Sequence, residues 1–353
     1  MISRLLSHDL PNSRALAFIL GVLFLALLFA PFWVPSIKAL NLAAKVLIFI
    51  LLVASFDLLL GYTGIVSFAH TMFFGIGAYG VAIATNAWGP SWSAVITGAL
   101  AALGLSALLA LAIALFSLRV RAIFFAMITL AMAAAFQTLA SQLSEITGGE
   151  DGLNFRLPEL LNPSTVWWEG NPFGINFNGK MLTYYLIFVA VLLLFLALLR
   201  IVNSPFGSVL KAIRENEFRA EALGYRVVHF RALSSVLSAL FATAAGVLLA
   251  LWLRYNGPDT SLSFEIMLDI LLILVIGGMG SMYGSIIGTV IFILAQGYLQ
   301  DLLRMASGLA KGIPFLPALL SPDRWLLWLG LMFVLAVYFF PQGIVGRLRD
   351  KKQ

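Results

Sequence analysis

The chain has no cysteine and only three histidines among its 353 residues. Disulfides and thiolate metal or redox chemistry are therefore excluded. His8, His70 and His229 are too scattered to suggest a metal site. Charge is equally scarce. Twenty-two basic and 16 acidic residues make up 11% of the chain, against about 25% in ordinary soluble domains. That scarcity rules out a water-soluble globular protein. The net charge of +6 is not gathered into a basic arm or stripe with interleaved aromatics, which excludes a nucleic-acid partner.

What fills the chain is apolar: 61% of residues are hydrophobic. They fall in blocks of roughly 20, the length an α-helix needs to cross the hydrocarbon of a bilayer. The expected fold is all-α, a polytopic integral membrane bundle of about ten helices embedded in lipid. The predicted spans are 15–36, 38–60, 64–85, 92–117, 120–140, 181–201, 229–253, 263–280, 283–303 and 325–342. The first span is longer than a signal-peptide core and no small-x-small cleavage site follows it, so it reads as a retained helix. The whole chain, 1–353, is read as one transmembrane domain.

Orientation follows from the remaining charge. Ten crossings place both ends on one side. On that side fall Arg4, Arg14, Arg119, Arg121, Arg200, Lys211, Arg214, Arg219, Arg226, Arg231, Arg347, Arg349, Lys351 and Lys352. With the acids counted, this side carries +8 and the other −2. The positive-inside rule then puts both termini in the cytoplasm and the acidic loop 141–180 outside. Lys38 and Lys45 are expected to snorkel to the outer interface.

Two glycine-rich joints, Gly61–Gly64 and Gly277–Gly284, are too short and uncharged for ordinary loops. They read as breaks within the membrane, where irregular backbone survives only if it is buried in protein or lines a wet cavity. Two nucleotide-like patterns are decoys. Gly75-Ile-Gly77-Ala-Tyr-Gly80 matches the dinucleotide fingerprint but lies inside an apolar span with no preceding strand. Gly174 to Lys180 resembles a phosphate loop, yet Met181 stands where a magnesium-binding hydroxyl is needed.

The segment 204–227 reads as one short amphipathic helix. Ser204 suits the N-cap, Pro205 the first helical position and Gly224 the stop. Phe206, Val209, Leu210, Ile213, Ala220 and Leu223 form an apolar face, with Lys211–Glu215 and Glu215–Arg219 as i,i+4 pairs on the other side. Such a helix either rests on lipid headgroups or docks into a groove on a cytoplasmic partner. The pattern by itself leaves both open.

Five ordered blocks resemble one family. They are Leu59-Leu-Gly-Tyr-Thr-Gly-Ile-Val-Ser-Phe-Ala-His70 with Phe73-Phe-Gly-Ile-Gly-Ala-Tyr79; Ile146-Thr-Gly-Gly-x-Asp-Gly-Leu153; Pro205-Phe-Gly-x-x-x-x-Ala212-Ile-Arg-Glu-Asn-Glu-x-x-Ala220-Glu-Ala-Leu-Gly224; Ile276-Gly-Gly-Met-Gly-Ser281; and Pro341-Gln-Gly-Ile-Val-Gly346. Together they are similar to the LivM-type permeases of branched-chain amino-acid ABC importers, a binding-protein-dependent inner-membrane component family. Asp57, Asp269 and Ser285 stand where that family often has Asn, Glu and Pro.

The resemblance implies an importer subunit of the bacterial inner membrane that is not itself an enzyme. It would pair with a homologous LivH-type permease. Two LivG/LivF-type ATPases would hold the ATP and magnesium, so this chain binds no cofactor. A periplasmic binding protein would deliver leucine, isoleucine or valine. Pro205, Phe206, Gly207, Ala212, Ile213, Arg214, Glu215, Glu217, Ala220, Leu223 and Gly224 would form the ATPase-coupling helix. Urea, short amides and aromatic acids are alternative cargoes of the same machinery, and a secondary transporter or a membrane enzyme are the competing classes.

Within the membrane, Thr63, Ser67 and His70 are spaced for one helical face. They either line the translocation route or hydrogen-bond between helices. Gly75 and Gly77, and Gly280, Gly284 and Gly288 at four-residue spacing, are read as close-packing devices. Asp57 is expected to cap the backbone of Gly61–Gly64.

Overall fold

The computed structural model describes residues 13–33, 36–117, 122–168, 177–309, 320–340 and 342–350. Arg4, His8, Arg119, Arg121, Pro341, Lys351 and Lys352, with part of the 174–181 decoy, lie outside the described residues.

Each predicted span meets a helix. In chain order these are α1 (Arg14–Leu28) continued by α2 (Ala30–Trp33), α3 (Ile37–Thr63), α4 (His70–Trp88), α5 (Trp92–Ser117) and α6 (Ala122–Gln142). After the four-residue α7 (Ser144–Thr147) come α8 (Gly179–Val202), α9 (Pro205–Glu215), α10 (Glu217–Ala222) and α11 (Val227–Leu253). The chain closes with α12 (Pro258–Ser261), α13 (Phe264–Gly277), α14 (Met282–Leu309), α15 (Trp325–Phe339) and α16 (Gly343–Asp350). Among the described residues, eight helices are long and apolar enough to cross a membrane.

Helix α3 is the central post. Every residue from Val46 to Leu59 is buried, and α8, α9, α11, α13 and α14 all pack on it. A helix that is apolar all round belongs in the middle of a bundle. The peripheral helices turn side chains such as Leu100, Leu108, Ile123 and Leu193 outward, as lipid-facing surfaces do.

Segment 204–226 marks one end of the bundle, here the lower end. The loop 143–178 marks the upper end, where Leu153–Asn154 pairs antiparallel with Tyr255–Asn256. Gly148, Gly149 and Gly152 hold φ of 76°, 64° and 70° there, a conformation glycine adopts without steric cost. Leu16 of α1 packs with Val345 of α16, so both lie at one end.

The first glycine joint is a break in mid-bundle. Gly64 ends α3 in the left-handed conformation at φ 77°, and the chain stays non-helical until His70. His70 reaches Ser55, about 12 Å above the end of α3 at 1.5 Å per residue. The segment 64–69 thus climbs from the lower end to mid-depth. Its backbone is partly satisfied locally: Phe68 N donates to Thr129 Oγ1 at 3.0 Å and Ala69 N to Ser67 Oγ at 3.3 Å. The second joint, 278–281, separates α13 from α14.

These breaks correct two predictions. Thr63 ends α3, Ser67 lies in the break and His70 opens α4, so the three do not share a helical face. Gly280 lies in the second break at φ 80°, so only Gly284 and Gly288 share a helix. Both pack backbone on backbone: a Cβ at Gly284 would stand 2.7 Å from Gly278 O, and one at Gly288 3.0 Å from Gly277 N. Gly77 abuts the Thr243 carbonyl and Gly75 the Leu262 side chain, so the glycines of the decoy motif serve helix packing.

Lys45 does not snorkel. It donates to Gln296 Oε1 at 2.9 Å, and Gln296 lies 3.5 Å from Asp269. Lys38 pairs with Asp301 at 2.5 Å. Lys45 thus meets its acceptor within the bundle, whereas the Lys38–Asp301 pair is about half exposed.

Candidate functional site

Segment 204–226 is two helices. Asn216 interrupts them with φ −159° and ψ 103°, and its side chain caps α10 by accepting from Arg219 N at 2.9 Å. Asn competes for backbone bonds in a helix interior and favours caps. The expected single helix fails at that residue. Pro205 does open α9, and Gly224 turns the chain at φ 90°. Ser204 is at the N-cap, but its hydroxyl donates back to Ile201 O at 2.6 Å.

The apolar face of this segment is largely occupied by the chain itself. Leu210, Ile213 and Ala220 are buried, Ile213 and Ala220 cluster with Val227, and the Phe206 ring stacks on Phe230 at 5.7 Å. Gly207 sits so close to the Val202 carbonyl that no side chain fits. Lys211 lies over the Tyr62 ring at 5.2 Å, not against Glu215. Ala212 and Glu215 are exposed.

What remains open is one residue of the predicted face, Leu223, and one outside it, Phe218. Phe218 is 84% exposed and Leu223 71%. Phe218 was missed because it falls off the stripe of a continuous helix; the helix is interrupted at Asn216. The sequence signal was the Asn216-Glu-Phe218 run, where a cap residue precedes an apolar one.

Below the bundle, two contacts tie the segment down. Arg231 of α11 binds both Glu217 oxygens, at 2.8 and 3.0 Å. Arg214 of α9 donates from its guanidinium to the Gly61 carbonyl, at the first glycine joint. One turn earlier, Asp57 Oδ1 accepts from Gly280 N at 2.8 Å. The acid therefore caps the second joint, 223 residues away, and not Gly61–Gly64 as expected. A Cβ at Gly280 would meet the Arg214 guanidinium at 2.8 Å and Gly61 O at 3.0 Å. Both joints and α9 meet at one point.

Above this joint is a polar cluster. His70 Nε2 lies 3.0 Å from Ser55 Oγ and 3.5 Å from Ser238 Oγ, and Ser238 donates to Ser55 O at 2.6 Å. Thr63 donates to Leu58 O at 3.1 Å and reaches Ser234 Oγ at 3.3 Å. His70 thus bridges α3, α4 and α11. Ser67 and His70 line a narrow cleft with Ser235, Ser238 and the apolar Leu59, Phe73, Ile113 and Phe125. Ser234, Ser235 and Ser238 share a helical face of α11, a spacing that could have revealed them. Among the described residues, no group of three His, Asp or Glu side chains is placed to hold a metal.

A bundle with glycine joints, a polar cleft and a partly exposed segment at its lower end is the anatomy of a transporter subunit. Residues 38–337 match the family described as "Branched-chain amino acid transport system / permease component". The chain belongs to this family.

The permease is 26% identical over 347 residues to the "High-affinity branched-chain amino acid transport system permease protein LivM" of Salmonella typhimurium strain LT2, covering 95% of this chain and 76% of that protein. The figures are the same for the protein of that name from Escherichia coli strain K12. It is 28% identical over 170 residues to the "Probable branched-chain amino acid transport permease protein LivM" of Methanocaldococcus jannaschii, covering 48% of each. No solved structure matches the permease. The family is a transport permease component, and the chain is a multi-pass membrane protein.

Proposed function

We propose that this permease is one membrane half of an ABC importer that carries branched-chain amino acids inward across the bacterial inner membrane, driven by ATP hydrolysed on other chains. The observation that carries the reading is the pair Phe218 and Leu223, which stand exposed on a segment whose Leu210, Ile213 and Ala220 are buried. Large apolar side chains left out on the charged, lower side of the bundle suit a pocket on a partner protein. In the relatives' printed names, the transported solutes are branched-chain amino acids.

In this reading the lower end and both termini face the cytoplasm, as the charge balance of the sequence indicates. Segment 204–226 meets an ATPase of the LivG/LivF type, which holds ATP and magnesium. A LivH-type permease forms the other half, and a periplasmic binding protein docks on the upper end. Closure of the ATPases moves the segment, and the helices attached to it tilt to switch access.

The solute passes at Ser67 and His70 when the cleft, about 10 Å³ in this conformation, opens as the helices tilt. Its apolar walls suit an aliphatic side chain, and its few hydroxyls and imidazole suit the ammonium and carboxylate groups. Affinity there need only be weak, because the binding protein supplies selection.

The test is co-expression with the neighbouring genes and reconstitution in liposomes. Leucine together with the binding protein should stimulate ATP hydrolysis and uptake. Uptake by this chain alone down an ion gradient would overturn the proposal. Binding measurements on the cognate periplasmic protein, with leucine, urea, short amides and aromatic acids compared, identify the cargo.

A further inference from the structure

The lower joint brings together three stretches that are remote in sequence: α9, the last turn of α3 where the first break begins, and the break at 278–281. The bonds between them have a direction. Arg214 of α9 donates to the Gly61 carbonyl in the last turn of α3, just before the first break. Asp57, one turn earlier on α3, accepts from Gly280 N at 2.8 Å. The Arg214 charge lies close enough to act on Asp57. The space between is filled. A Cβ at Gly61 would strike the Asp57 carboxylate, and one at Gly280 would reach both the Arg214 guanidinium and the Gly61 carbonyl.

We infer that Arg214 and Asp57 form a permanent tie that makes α9 and both glycine breaks move as one rigid body, so that a displacement of segment 204–226 reaches both breaks together. This deepens, and rests on, the proposed ABC importer function.

The physical argument is one of stiffness. The breaks lack the continuous i→i−4 ladder that keeps a helix rigid, so each by itself is a soft hinge. A charge-assisted bond from Arg214 to a carbonyl, and one from a backbone N–H to a carboxylate, are about twice as strong as neutral ones and favour one geometry. The close packing of Gly61 against Gly280 leaves no slack between them. A push on α9 is then not absorbed by the first soft segment it meets. The segment's other tie, the Glu217–Arg231 clasp, joins α10 to α11 and touches neither break.

The absence of cysteine makes the tie directly testable. A Cβ at Gly64 would stand 3.8 Å from the Arg214 Cβ, within the separation of about 3.5–4.5 Å that a disulfide spans. In the reconstituted assembly, with leucine and binding protein, Arg214→Met should keep ATP hydrolysis within about twofold of wild type while uptake per ATP falls at least tenfold. Arg214→Lys should fall between. Gly64→Cys/Arg214→Cys should be as uncoupled as Arg214→Met when reduced, and should recover at least fivefold on oxidation, because the disulfide replaces the lost bond. Gly64→Cys by itself controls for strain at the left-handed glycine.

Undiminished uptake per ATP in Arg214→Met would overturn the tie. So would a disulfide form that is locked and inactive, since the bond would then have to open in each cycle. A wild-type assembly that hydrolyses ATP without moving leucine would overturn the functional reading; the tie is then judged on the disulfide, which must still form in membranes, and its failure to form overturns the contact.

Discussion

Arg231 holds Glu217 with both arms of its guanidinium, at 2.8 and 3.0 Å, and so pins α10 to the base of α11. The pair is partly open to solvent, where such contacts contribute about 1 kcal/mol or less to stability. Its effect on coupling should be larger than its effect on folding. Glu217→Arg should leave insertion and melting temperature nearly unchanged but uncouple ATP hydrolysis from uptake. The swap Glu217→Arg/Arg231→Glu should restore coupling at least in part. Unchanged coupling in Glu217→Arg would show that the clasp has no part in transmission.

Gly224 holds φ 90°, which proline, fixed near −65°, cannot adopt. Gly224→Pro should therefore move Leu223 and Tyr225 and uncouple transport while the spans still insert, as protease protection in membranes would show.

Phe218 and Leu223 are the exposed apolar pair. Phe218→Ala should weaken co-purification of the ATPase at least tenfold, the loss typical of an interface anchor of about 1.4 kcal/mol or more. Phe218→Ala should leave the melting temperature of the isolated permease where it is. A drop in both would mean that the ring packs within this chain.

His70 bridges Ser55 and Ser238 at the cleft. Interhelical polar contacts in membranes average about 0.6 kcal/mol, so His70→Leu should still fold. If solute passes this cleft, leucine uptake should drop at least fivefold at unchanged expression. Normal uptake would assign His70 to helix bridging alone.

Gly77 touches the Thr243 backbone, whereas nothing lies within 4 Å of a Cβ at Gly104. Gly77→Ala overpacks a tight crossing and should cost about 1–3 kcal/mol. Gly104→Ala should be neutral or stabilising, since alanine favours the helix by about 0.5–1 kcal/mol. Melting curves in detergent separate the two.

Much of this was legible from residues alone, because a membrane makes composition informative. Apolar runs of span length have few alternatives to a helix, and each predicted span met one. Pro205 and Gly224 were correctly read as start and stop, since their backbone preferences are local. The errors came where non-local partners rule. Thr63, Ser67 and His70 were placed on one face because spacing cannot reveal a six-residue climb between helices. Asp57 was assigned to the nearer joint because the nearer backbone is the only one a sequence displays. Lys45 was sent to the interface because Gln296 lies 251 residues away. Phe218 was passed over because an amphipathic pattern assumes an unbroken helix.

The scarcity of charge and the absence of cysteine determined a helical membrane protein without thiol chemistry, and the order of short motifs pointed to a permease family. These conclusions rest on what bilayers and backbones demand of any chain. Which groups meet was settled only by folding. The Arg214–Gly61 and Asp57–Gly280 bonds join stretches 153 and 223 residues apart, and no local preference encodes them. They exist because α3, packed on most of its length, carries one glycine break to the place where α9 and the other break arrive.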